Sequence, residues 1–113
     1  VEMAVGAAMT GLRPIVSTMV AGFGICCFDP IFARLGSSYQ EWLYQGPLPV
    51  VVVASIQGWT AKGPDHGLSP EALFMHSPGL KVVMPSTAYD TKGLLKSAIE
   101  TIILYYSIHT SSY

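Results

Sequence analysis

The side chains of this chain best suited to moving a proton near neutral pH are its three histidines, His66, His76 and His109. Their settings differ. His66 lies in Gly63-Pro64-Asp65-His66-Gly67, a run of turn formers that leaves little bulk around the ring. An exposed tight turn of this kind can hold an imidazole against a bound ligand, where it serves as general acid or base. His76 closes a predicted helix just before Ser77-Pro78-Gly79. A cation there suits the negative end of the helix dipole, which is a structural role. His109 lies in the tail without chemical neighbours. Cys26 and Cys27 are adjacent, a spacing too strained for a mutual disulfide, and are expected to be small buried packing residues. No metal-ligand spacing, Gly-x-Ser-x-Gly elbow or phosphate loop occurs, and no metal site is assigned.

The elements that must position His66 follow from periodicity. Glu2 to Leu12 reads as a helix of small residues, with Gly6 and Gly11 allowing close approach of another backbone. Pro14 to Met19 reads as a short strand. Glycines 22 and 24 punctuate it, and a helix is expected over much of Ile25 to Leu35, with Asp29 capping a start at Pro30. The polar stretch Gly36 to Gly46 reads as a loop. Pro49 to Ile56 is an uninterrupted β-branched run, as expected of a strand covered on both faces.

Gln57 to Gly67 then reads as a loop, and Ser69-Pro70 as the start of a short helix with serine as its cap. Lys81 to Met84 is predicted as a buried strand closed by Pro85. Thr87-Ala88-Tyr89-Asp90 reads as a capping-box variant. The helix after it places Leu94, Leu95, Ala98 and Ile99 on one face. Thr101 to Tyr106 is a last apolar run of strand type. Strands alternating with helices predict a single α/β domain, a mostly parallel sheet with helices on both faces. In such folds ligands sit beside the strand ends, where the His66 turn falls.

Composition narrows the partners. The 113 residues are 50% apolar and only 12% charged, against about 25% charged in an ordinary soluble domain. Such an excess is expected either of a chain buried against partners or of a piece of a larger protein. The net charge of −1, without a basic block, gives nucleic-acid and membrane-surface binding no support. No apolar run reaches the roughly 18–20 residues of a spanning helix.

Three blocks carry a family resemblance: Ala4-Val-Gly-Ala-Ala-Met-Thr-Gly-Leu-Arg-Pro-Ile-Val16, then Pro49-Val-Val-Val, then the stretch from His66 to Ile99 with its Pro78-Gly-Leu-Lys-Val-Val-Met-Pro and Tyr89-Asp-Thr-Lys-Gly-Leu-Leu runs. Together they resemble the β subunit of the thiamine-diphosphate-dependent 2-oxo acid dehydrogenase E1 components (pyruvate, branched-chain 2-oxo acid and acetoin). The matched region is that subunit's transketolase-like pyrimidine-binding domain. The resemblance implies a heterotetrameric oxidoreductase that decarboxylates a 2-oxo acid and passes the acyl group to lipoylated E2. It implies partners, an E1 α subunit holding the diphosphate and Mg²⁺ and a second β subunit, in the bacterial cytoplasm or the mitochondrial matrix. Carried over by position, Phe23 matches the aromatic residue that packs on the aminopyrimidine, and His66 the catalytic histidine beside the cofactor's reactive carbon.

The departures matter too. The resemblance places the family's activating glutamate upstream of Val1, and Glu2 is out of register with it. The usual glutamate after Pro-Ile-Val is Ser17, and Asp65-His66-Gly67-Leu68-Ser69 stands where Gln-His-Ser-Gln-Ser is usual. Residues 101–113 form a divergent tail, and the subunit's second domain is expected to be missing. Two other readings remain at this point. One is a non-catalytic fragment or module that docks to E1 subunits and is inactive alone. The other is a related thiamine enzyme such as a deoxyxylulose-phosphate synthase.

Overall fold

Val51–Ile56 (β2) has the sequence of a strand with no wet side, and it lies inside a parallel sheet. The computed structural model describes residues 1–37, 48–57, 63–100 and, as backbone, 104–109. Among these, β2 pairs in parallel with Ile15–Val20 (β1) on one side and with Leu104–His109 (β4) on the other. Lys81–Val83 (β3) joins the far side of β4, giving the order β1-β2-β4-β3. Alternate residues of β2 and its approach face opposite layers. Val50, Val52, Ala54 and Ile56 enter one core, and Val51 and Val53 the other.

The helices fall on both faces, as the pattern predicts. The first core takes Ala4 and Ala8 of α1 (Glu2–Met9), Ile31 and Leu35, and Phe74 of α3 (Glu71–Met75). The second takes Leu94, Leu95, Ala98 and Ile99 of α4 (Ala88–Glu100), the face read from the sequence. Right-handed crossovers explain the division. The connections β1 to β2 and β2 to β3 run one way across the sheet and carry their helices on one face. The connection β3 to β4 runs back, and α4 covers the other.

Local chemistry sets the element ends. Gly11 adopts φ +93, and Leu12 N–H and Gly11 N–H close on Ala7 O and Ala8 O, a glycine C-cap. Gly11 is thus needed for conformation. A Cβ at Gly6 would meet nothing within 4 Å, so the expected backbone approach at these glycines is not made among the described residues. Thr87 caps α4 as read: Asp90 N–H donates to its Oγ1 at 3.1 Å, and its hydroxyl donates to Asp90 Oδ2 at 2.7 Å.

Other expectations are corrected. Helical backbone begins at Ala21, as a 3₁₀ segment Ala21–Cys27, and passes into a π-helical segment Pro30–Leu35. The wider turn accommodates a proline that has no N–H to give and would crowd the carbonyl before it. Asp29 is itself helical and makes no cap bond; its carboxylate lies 3.7 Å from Arg34 on the surface. In a turn of three residues, neighbours point about 120° apart, so two adjacent cysteines cannot share one core. Cys27 packs on the core, whereas Cys26 is exposed, and both are free thiols.

Ser69 does not cap α3 either. The helix starts one residue later than read, at Glu71, so the cap position falls on Pro70, and the Ser69 hydroxyl donates instead to Glu71 Oε2 at 2.6 Å. Glu71 is only 7% exposed, and its Oε1 has no partner among the described residues. Among the described residues β3 pairs on one side only, with Lys81 exposed and Val82 and Val83 half-buried. The expected loop over 36–46 lies from residue 38 onward outside the described residues, as do 58–62 of the loop after β2 and 101–103 of the last run.

Candidate functional site

Every strand of a parallel sheet ends on the same edge, so the segments leaving β1 and β2 emerge side by side. From β1 the chain turns directly into Ala21–Cys27, which carries Gly22 and Phe23. From β2 it reaches α2 (Pro64–Gly67), one helical turn that carries His66. Gly63 opens that turn at φ +85. Gln57 N–H donates to His66 O at 3.0 Å, which ties the turn to the end of β2. Gly22 lies so close to the turn that a Cβ there would strike the Asp65 carbonyl oxygen.

Those two contacts bring Phe23 and His66 together. Their ring centroids are 5.7 Å apart at an interplanar angle of 69°, an edge-to-face pair. The two residues assigned to the site from sequence therefore form one unit. His66 is half-buried, where the glycine-rich turn predicted an exposed ring, because Phe23 covers one side of it. Its Nδ1 is buried and has no hydrogen-bond partner among the described residues. Phe23 keeps 42% of its surface exposed.

Beside the pair lies an open groove of about 310 Å³, walled by Gly22, Phe23, Ile25, Cys26, Asp65 and Leu68. His66 does not itself line the groove; its ring lies against that of Phe23, and it follows the wall residue Asp65 in sequence. Sequence reasoning missed Ile25, Cys26, Asp65 and Leu68 as wall residues. Their only signal was adjacency to Phe23 and His66, and nothing in the spacing joined the two groups. A half-exposed aromatic face and mostly apolar walls suit a flat ring. His76 stands apart, exposed at the end of α3 in an open hollow of about 360 Å³ with Ala72 and Met75. His109 ends β4, and its side chain lies outside the described residues. Among the described residues, no cluster of histidine, cysteine and acidic side chains could hold a metal, and no helix is long and apolar enough to cross a membrane.

The family described as "Transketolase, pyrimidine binding domain" matches residues 1–108. The chain belongs to that family. The parallel sheet with helices on both faces is the α/β architecture expected of it. Relatives with curated names point to one branch. The chain is 42% identical over 99 residues to the β subunit of acetoin:2,6-dichlorophenolindophenol oxidoreductase of Cupriavidus necator, covering 88% of this chain and 29% of that protein. It is 38% identical over 115 residues to the 2-oxoisovalerate dehydrogenase β subunit of Bacillus subtilis, covering 96% and 34%. It is 44% identical over 99 residues to the pyruvate dehydrogenase E1 component β subunit of Cyanidium caldarium, covering 86% and 30%. This pyrimidine-binding domain thus spans about a third of the length of these relatives.

Proposed function

We propose that this chain is the pyrimidine-binding part of a 2-oxo acid dehydrogenase E1 β subunit and supplies the aminopyrimidine side of a thiamine diphosphate site. The observation that carries this reading is the Phe23–His66 pair beside an open groove at the carboxyl edge of a parallel sheet. The residues fit the group. Phe23 offers a ring face for stacking, and His66 Nδ1 offers a buried polar atom whose hydrogen bond a ligand can complete. Thiamine diphosphate, when bound, supplies the carbon nucleophile and the electron sink for loss of CO₂ from a 2-oxo acid. Phe23 orients and excludes water. His66 exchanges a proton at Nε2 with the substrate oxygen as its charge changes, and assists acyl transfer to lipoylated E2. An α subunit supplies the diphosphate and Mg²⁺ side, and a second β subunit completes the assembly. That reading calls for bacterial cytoplasm or mitochondrial matrix. The names of the matched relatives favour this branch over a deoxyxylulose-phosphate synthase.

The test uses the parent subunit assembled with its α partner, thiamine diphosphate and Mg²⁺. Stacking on one aromatic ring is worth about 1–3 kcal/mol, so Phe23→Ala should weaken cofactor binding by roughly tenfold or more in calorimetry. His66→Ala should keep the cofactor and slow acyl transfer by about 10² or more. The isolated chain should release no CO₂. Unchanged binding in the first variant together with unchanged turnover in the second would refute the assignment.

A further inference from the structure

β1 does not keep register with β2 to its end. Ser17 faces Val53 and Met19 faces Ala54, so Thr18 is an extra residue, a β-bulge. Met19 then takes φ +62, the left-handed region that a bulky side chain seldom enters. It is the only non-glycine residue in that region among the described residues. Three hydroxyls surround the turn. Met19 N–H donates to Ser17 Oγ at 3.2 Å, and the Ser55 hydroxyl, from β2, donates to Met19 O at 2.5 Å. The Thr18 hydroxyl donates to Val20 O at 3.3 Å. The Met19 side chain is 72% exposed, so its own packing does not hold this backbone in its left-handed turn. The hydroxyl bonds act there together with the pairing of Met19 and Val20 to β2.

The position of this turn gives it consequence. Val20 and Ala21 are buried directly after it, and Phe23 follows two residues later. Backbone strain of this kind persists where neighbouring contacts over-determine it, commonly beside ligand sites. We propose that Ser17 and Ser55 are positioning residues: they hold Met19 in its left-handed turn and so aim Phe23 at His66 before any ligand binds. The value of this for binding rests on the functional reading above. The geometry does not, and it is tested without ligand.

The experiment follows the His66 ring protons by NMR in the purified full chain, in whatever assembly keeps it soluble, beside urea unfolding. Phe23→Leu marks the ring-current shift that Phe23 exerts on His66. Ser55→Ala should lose the same shift. Ser77→Ala removes a hydroxyl bond of the same kind at the opposite edge (to Phe32 O, 2.8 Å) and should lower the urea midpoint without moving the His66 signals. Met19→Gly should keep the His66 signals, raise the midpoint, and restore the signals in a Ser55→Ala background, since glycine adopts this backbone freely.

The proposal fails if Ser55→Ala leaves His66 unmoved, if Ser77→Ala moves it as far, or if Phe23→Leu has no effect on it. Should Ser55→Ala not fold, Met19→Gly decides alone: a lowered midpoint or displaced His66 signals would overturn the inference. Loss of thiamine diphosphate binding with these NMR results intact would refute the functional reading and leave this one standing.

Discussion

The two edges of the sheet are built on opposite terms. At the amino edge, the end of the Pro30–Leu35 helical segment and the chain entering β3 meet with no slack. Ser77 is buried and its hydroxyl is bonded to Phe32 O at 2.8 Å. A Cβ on Gly79 would strike Gly36 O, and one on Gly36 would strike Ser77. Phe74, with no exposed surface, packs against Phe28 at 5.7 Å. At the carboxyl edge the same chain holds a left-handed methionine, a half-exposed phenylalanine and an imidazole nitrogen without a partner among the described residues. One edge spends its interactions on stability. The other leaves some unmade, and groups not already satisfied are the ones that can still take a ligand.

Substitutions can break or sharpen that contrast. The largest effect is expected for Phe74→Ala, which should cost about 3–5 kcal/mol in urea unfolding by opening a cavity in the first core. Gly79→Ala should cost about 1–3 kcal/mol or more, because the added carbon meets backbone that cannot swing aside. Leu68→Ala, at the groove, should stay within roughly 0.5 kcal/mol of the parent, since much of that side chain is already in water. A loss at Leu68 equal to that at Gly79 would show that the carboxyl edge bears stability as well, and the contrast would be wrong.

What could be read in advance divides along the same line. β2 was legible because its β-branched residues run without alternation, and that pattern has one good solution, a strand between two layers. The face of α4 and its Thr87–Asp90 cap were legible because each depends on residues three or four apart. The segment after β1 was not. Two glycines and a proline remove the usual periodic signal, and the observed 3₁₀-to-π succession is selected by packing against the core. Ser69 failed as a cap because α3 begins one residue later, at Glu71, which leaves Pro70 in the cap position, a shift that propensity does not resolve. Phe23 was named through a family resemblance; no spacing in the chain connected it with His66.

The sequence by itself determined the order of strands and helices, the double-sided burial of β2 and the presence of a low-bulk turn around His66, because each is a short-range consequence of residue type. Only the tertiary structure decided that Phe23 and His66 meet, that Cys26 faces out while Cys27 faces in, and that Met19 carries a bulge held by Ser17 and Ser55. The physical reason is that parallel pairing collects carboxyl ends from distant parts of the chain on one edge. What these ends do to one another depends on register and packing, which no local pattern encodes.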